Sequence, residues 1–226
     1  MGELALVILL SYIVGSIPTS VIVSKLSHGI DVRNYGSGNA GGTNVFRVLG
    51  WKYGVFVILV DIFKGYVATM LVTKLMFGPI PFANATPFED ITVVRMIAGG
   101  AAILGHIWTI FGGFRGGKGI ATVGGVLLAL ATIEVLVTLG VFILVFAVSR
   151  YVSLGSVIAA ISFPLTMLIR HNIFHAYLEG YHTLIFFSIG ICLLLLYTHR
   201  ANIQRLMAGT ENRLTTNAIL NKKNGQ

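Results

Sequence analysis

The chain carries little charge. Only 11 % of its 226 residues are Asp, Glu, Lys or Arg, against about 25 % in soluble domains. That scarcity excludes an ordinary water-soluble globule. It excludes disorder as well, because disordered chains are polar and charge-rich. Acids are the scarcer sign, with eight Asp+Glu against sixteen Lys+Arg, a net charge of +8. A single cysteine, Cys192, sits in an apolar run and excludes an internal disulfide. The start, Met1-Gly2-Glu3, has no basic n-region, and no small-residue cleavage site follows the first apolar run, so no cleavable signal is expected.

What fills the chain is hydrocarbon: 55 % of residues are apolar and the mean hydropathy is +0.85. A membrane helix needs about 20 apolar residues. Stretches of that kind run over 4–26, 53–77, 91–111, 153–170 and 181–198. The segment 119–149 is long for one span and short for two. Glu134 interrupts it, and a carboxylate at the bilayer centre is costly. We therefore expect Glu134 at a surface and two short helices, 119–132 and 134–149. The expected fold is an all-α, polytopic integral membrane protein of about seven transmembrane helices, one domain over 1–226.

Charge placement supports that count. Seven spans put Lys25, Arg33, Arg47, Lys52, Arg115, Lys118, Arg150, Arg200, Arg205, Arg213, Lys222 and Lys223 on one side, with only the acids Asp31 and Glu211. The other side holds Glu3, Glu89, Asp90, Glu134 and Glu179, with Lys74, Arg95 and Arg170. The positive-inside rule makes the first side cytoplasmic, with the N-terminus outside and the C-terminus inside. A six-span chain would place the basic tail outside. The positive charge is thus accounted for by topology, and no basic soluble face remains for nucleic acid.

Two glycine-rich loops lie on the cytoplasmic side. The first reads Asn34-Tyr35-Gly36-Ser37-Gly38-Asn39-Ala40-Gly41-Gly42-Thr43-Asn44, followed by Arg47. It matches G-x-G-x-x-G, but that fingerprint needs a βαβ unit, and membrane spans flank it here. Its residue types still suit an anion: glycine allows close backbone approach, and turns can present N–H groups. The second reads Gly112-Gly113-Phe114-Arg115-Gly116-Gly117-Lys118-Gly119. It fits most of a P-loop, but Gly119 stands where a magnesium-binding hydroxyl belongs. The loop opens a helix, whose N-terminus favours an anion. A metal-independent phosphate site is expected; the alternative is a tight turn with topology charges.

A third cytoplasmic segment runs from His199 to Glu211. His199 and Asn202 share a helix face; the plainer reading is an interfacial amphipathic helix. A short turn carries Ser153. In the second span Asp61 and Lys64 are i, i+3 neighbours expected to pair, as a functional or a structural couple. His106 precedes the second loop and either orients it or packs at the interface. His171 and His175 have metal-like spacing but no carboxylate-rich surroundings, so no metal site is expected.

These segments together resemble the bacterial acyl-phosphate:glycerol-3-phosphate acyltransferase (PlsY) family. The resemblance rests on Gly36 through Asn44, on Gly105-His106 with Phe114 through Thr122, and on His199 through Glu211, and it covers nearly the whole chain. Departures are mild: Gly42 replaces a commoner alanine, Thr109 stands near a usual proline and Arg115 replaces a lysine. The resemblance implies acyl transfer from acyl phosphate to the 1-hydroxyl of glycerol 3-phosphate, giving lysophosphatidic acid and phosphate at the bacterial inner membrane, with no cofactor. It implies catalytic roles for Ser37, Asn39, His199 and Asn202. It implies substrate binding by Gly38, Thr43, Asn44, Arg47, Gly116, Gly117, Lys118, Gly119, Ser153, Arg200 and Arg205, and a structural role for Glu211. Partners are the two substrates and membrane lipid.

The chemistry suits these residue types. Phosphate leaves readily, so an enzyme need mainly hold two anions, orient a hydroxyl and stabilise an oxyanion. His199 or the donor's own phosphate would take the proton. Ser37 has no adjacent base, which favours direct transfer over an acyl-serine. A transporter of phosphorylated solutes is the alternative, but its site would be expected near the midplane. No His-x4-Asp occurs, and Asp31, Asp61 and Asp90 are the only aspartates, which disfavours soluble-type acyltransferases and alcohol phosphatidyltransferases.

Overall fold

The computed structural model describes residues 2–178 and 180–214. Glu179 and the tail lysines Lys222 and Lys223, assigned to sides above, lie outside the described residues. Ten α-helices follow in order: α1 (Gly2–Ser16), α2 (Thr19–His28), α3 (Gly42–Leu49), α4 (Trp51–Met70), α5 (Asp90–Ile107), α6 (Ile120–Leu130), α7 (Thr132–Ser149), α8 (Val152–Asn172), α9 (Tyr181–Thr198) and α10 (Arg200–Met207). Among the described residues there is no strand. Six helical stretches among the described residues are long and apolar enough to cross a bilayer: Gly2–His28, Trp51–Leu75, Asp90–Gly112, Thr132–Ser149, Val152–Asn172 and Tyr181–Thr198. α6, with 11 residues, covers only about 16 Å at 1.5 Å per residue.

The segment expected as one span over 4–26 is broken into α1 and α2 at Ile17-Pro18. Proline has no N–H to continue the ladder. The freed backbone is used elsewhere: the Ile17 carbonyl accepts from Lys64 Nζ at 3.0 Å, and the Ser16 carbonyl accepts from the Thr109 hydroxyl. The break between α6 and α7 falls at Ala131, whose backbone leaves the helical region at φ −151°, ψ 65°, close to where Glu134 required one. Glu134 itself is 2 % exposed. It lies in the first turn of α7 and pairs with Arg170 at the end of α8. That position is a helix end, as expected for a surface carboxylate, but the group is covered by protein, and a covered charge needs a cation.

Packing between membrane helices relies on small residues that let backbones approach. A Cβ on Gly105 of α5 would stand 2.2 Å from the Tyr12 carbonyl of α1, and one on Gly125 of α6 would stand 1.9 Å from the Ile62 carbonyl of α4. The second contact presses α6 onto α4, which fixes the start of α6 beside the first glycine loop.

The helix ends sort into two faces. At one, Glu3 accepts from the N–H groups of Phe77 (3.0 Å) and Gly78 (3.2 Å). Asn84 Nδ2 donates to Asp90 there, and Glu134 meets Arg170. At the other lie the ends of α2, α5, α7 and α9, the starts of α4, α6 and α8, and both glycine loops.

Candidate active site

The glycine-bearing face is built by cross-links between distant segments. Arg33 pairs with Asp31 at 2.7 Å and donates to the carbonyls of Gly112 (2.7 Å) and Arg115 (3.3 Å). The first loop is thereby tied to the second. The Arg33 hydrogen bond holds the Asp31 carboxyl down at about 2. The Thr198 hydroxyl donates to the Lys118 carbonyl at 3.0 Å, tying the second loop to the third segment. Arg33 was read from sequence only as a topology charge; its partners lie about 80 residues away, beyond any local pattern.

One cavity of about 330 Å³ opens among these segments. Its polar part is lined by Ser37, Asn39, Thr43, Arg47, Lys118, Ser153, His199 and Asn202. Its apolar part continues along α6 to α9, past Leu127, Leu139, Phe142, Phe163 and Ile191. These lie one to three turns into the helices, away from the loops.

Asn44 also borders the cavity but is 1 % exposed. Its Nδ2 donates toward the carbonyls of Val32, Tyr35 and Asn39 (3.0, 3.0 and 3.1 Å), and its Oδ1 accepts from Ser37 N–H at 2.8 Å. The amide holds the first loop, a clamping role beside the substrate-binding one expected of Asn44. Gly36, at φ +61°, lies against the same amide: a Cβ would stand 2.4 Å from Asn44 Oδ1.

One expectation is corrected at Gly116 and Gly117. Their N–H groups are not open donors. They bond to the carbonyls of Ile107 and His106, each at 3.1 Å, because the loop folds back along the end of α5. The open donors are at the helix starts. α6 begins at Ile120 and α3 at Gly42 with no side-chain cap on either, and Gly42, Thr43, Gly119, Ile120 and Ala121 border the cavity. The first N–H groups of a helix have no partner within it and carry partial positive charge.

The cations divide. Lys118 donates from Nζ to Asn202 Oδ1, and burial lowers its pKa to about 8, with Glu211 opposing and Arg205 and Arg47 assisting. Arg47 donates to the Asn212 carbonyl at 3.2 Å, while its buried Nε has no partner among the described residues. Arg205 points to Glu211 at 2.7 Å instead of into the cavity. Arg200 is exposed and lies 4.3 Å over the Tyr197 ring. Gly38 stands outside the lining too. Sequence placed Arg200 and Arg205 in one basic segment, but a helical turn separates what they face.

Glu211 gathers the third segment. It accepts from Ser153 Oγ (2.9 Å), Asn202 Nδ2 (2.8 Å) and Arg205 Nε (2.7 Å). Burial pushes its pKa up, but these hydrogen bonds outweigh burial and hold it below the ordinary value. His199 Nδ1 lies 2.9 Å from the Leu195 carbonyl. A carbonyl only accepts, so Nδ1 carries the hydrogen and Nε2 keeps its lone pair. Burial and Lys118 lower the His199 pKa to about 4, leaving the ring neutral. Ser37 Oγ has no hydrogen bond to His199 or to another base among the described residues. No cluster of three or more metal-ligating side chains occurs among them either.

The glycerol-3-phosphate acyltransferase family model matches residues 5–209. The chain belongs to the glycerol-3-phosphate acyltransferase family. A glycerol-3-phosphate acyltransferase of Chlorobaculum tepidum is 47 % identical, covering 92 % of this chain and 95 % of its own. One of Chlorobium chlorochromatii is 46 % identical, covering 95 % and 98 %. Two crystal structures of PlsY, an integral membrane glycerol 3-phosphate acyltransferase, share the fold. Its glycerol 3-phosphate form gives a TM-score of 0.80 at 37 % identity, covering 97 % of this chain and 99 % of that one. Its lysophosphatidic acid form gives 0.78 at 36 % identity, with the same coverage. Membership in this acyltransferase family sets the transporter reading aside.

Proposed function

We propose that this acyltransferase moves an acyl group from acyl phosphate to the 1-hydroxyl of glycerol 3-phosphate, at the cytoplasmic face of the bacterial inner membrane and without a metal or cofactor. One observation carries the reading. Lys118, Arg47 and two uncapped helix starts converge on the polar part of a cavity whose other part is hydrocarbon. A phosphate head with a fatty tail matches both parts. The ten described basic residues on the glycine-loop side, Lys25 through Arg213, support the cytoplasmic assignment.

The phosphate of glycerol 3-phosphate sits at Lys118 and the start of α6. Arg47 and the start of α3 take the donor phosphate, and separate cations offset the repulsion between two anions. The glycerol hydroxyl attacks the acyl carbonyl carbon. Asn39 and loop N–H groups donate to the oxyanion that forms. Its collapse breaks the acyl–phosphate bond. The hydroxyl proton leaves on the departing phosphate, which would otherwise part as a trianion and is a far stronger base than the His199 ring, held at about 4. His199 Nε2 accepts from the neighbouring 2-hydroxyl and so aims the 1-hydroxyl. Ser37 binds rather than attacks, for lack of a base.

The test uses purified protein in lipid with labelled glycerol 3-phosphate. Acyl phosphate, acyl-CoA and acyl carrier protein are offered in turn, with and without chelator. Product is expected with acyl phosphate alone and undiminished by chelator. Product from acyl-CoA, or loss with chelator, overturns the reading.

A further inference from the structure

Asp61, Lys64 and His106 form a polar cluster inside helices that are otherwise apolar, and the acyl-transfer steps above use none of them. They are 2, 4 and 7 % exposed. Three ionisable groups in low dielectric persist only where partners hold them. Asp61 Oδ1 accepts from Lys64 Nζ at 2.8 Å and from Thr19 Oγ1 at 3.2 Å, and lies 3.7 Å from His106 Nδ1. Lys64 also donates to the carbonyl of Ile17, the residue before Pro18. The break in the first span therefore supplies two of the cluster's ties, a carbonyl and a hydroxyl.

The other end of the cluster is the phosphate loop. The His106 carbonyl accepts the Gly117 N–H at 3.1 Å. The His106 ring lies against Gly117 so closely that a Cβ there would stand 2.2 Å from Nε2 and 2.8 Å from the Ala40 carbonyl. Gly117 is thus seated between the ring of His106 and the backbone of the first glycine loop. The next residue is Lys118, and two residues later α6 begins.

We propose that Asp61, held by Lys64 and Thr19, fixes the His106 ring as the seat of Gly117 and so sets where Lys118 and the start of α6 stand. Asp61 and His106 are then positioning residues for glycerol 3-phosphate. This rests on the reading of Lys118 as the cation for that substrate. Lys118 has four side-chain torsions and one tether, Asn202. Its backbone is set by Thr198 on one side and by Gly117 on the other. A loose Gly117 would let Lys118 and the helix start drift together, weakening substrate binding while leaving the donor site formed.

The test is a double-mutant cycle on full-length protein in lipid, with acyl phosphate and glycerol 3-phosphate. The proteins are wild type, His106→Ala, Lys118→Ala and the double variant, with melting temperature recorded for each. His106→Ala is expected to raise the KM for glycerol 3-phosphate by about tenfold or more while saturated kcat stays within about threefold. The double variant should lose no more kcat/KM than Lys118→Ala alone, within about twofold, because groups acting through one another are not additive. Asp61→Asn with Lys64→Met, which removes the charges as a pair, should reproduce the KM rise. Should His106→Ala fail to fold, His106→Gln takes its place in the same cycle. Multiplying losses would mean that His106 acts independently of Lys118, by touching substrate or by general support, and would overturn the proposal alone. An unchanged KM in His106→Ala would do the same. A silent Lys118→Ala would overturn this proposal together with the Lys118 assignment.

Discussion

The Glu211 carboxylate accepts from Asn202 Nδ2 at 2.8 Å and thereby turns Asn202 Oδ1 toward the ammonium of Lys118. A carboxylate takes only donors, so the amide has one permitted orientation. Glu211→Gln is expected to free that orientation and release Arg205. Hydrogen bonds to a charged group contribute about 1.5–3 kcal/mol each when one partner is removed, so melting in lipid should fall measurably and kcat/KM with it. The sign of the acid dependence follows from the lowered pKa. Glu211 contributes its stability above the unfolded carboxyl value of about 4.3 and loses it as pH falls through the lower folded one. Wild type should approach the variant's stability below about pH 4; a constant gap across that range would refute this.

Lys118 titrates at about 8 in the free protein. In the role proposed for Lys118 the charged form binds phosphate, so kcat/KM for glycerol 3-phosphate should fall as pH rises through about 8. Lys118→Arg keeps its charge beyond pH 10, and any activity it retains should show no such limb. A wild-type profile flat from pH 7 to 9.5 would show that Lys118 does not carry the binding charge.

Arg170→Met strands the Glu134 carboxylate. Because Arg170 keeps 22 % side-chain exposure, the loss should be about 2–3 kcal/mol, below the 3–5 of a fully buried pair. Glu134→Leu added to Arg170→Met should recover most of the melting temperature, and the KM for glycerol 3-phosphate should stay at the wild-type value in both.

Single cysteines in a Cys192→Ser background test the two faces. Tyr35→Cys, Phe114→Cys and Met207→Cys, all exposed positions, should react with an impermeant maleimide only after the inner side is opened. Phe77→Cys, Phe174→Cys and Tyr177→Cys, also exposed, should react from outside. Mixed labelling within either set would overturn the topology.

Much of this architecture was legible because the bilayer penalises exceptions. The cost of an unpaired carboxylate placed a break within three residues of Ala131, and i, i+3 spacing paired Asp61 with Lys64. Hydropathy, however, averages over a proline. The reading of 4–26 as one span passed over Pro18, whose consequence is local backbone, not lost apolarity. The short helix α3 is hidden in the sequence because glycine dominates its approach. The site was legible as a set of segments and less so as a set of donors. Gly116 and Gly117 look like free N–H groups until the α5 carbonyls that take them are located. Asn44 looks only like a ligand until three carbonyls claim its amide. Arg200 and Arg205 look alike until helix rotation sends one to Tyr197 and the other to Glu211.

The fold-back of Gly112–Gly119 along the end of α5 brings the Lys118 backbone level with Thr198, the last residue of α9. In the proposed reaction, a donor whose tail stays in its leaflet brings its carbonyl to the join between the hydrocarbon and polar parts of one cavity. The aqueous reactant travels down to the oil, and no fatty chain is lifted into water to meet it.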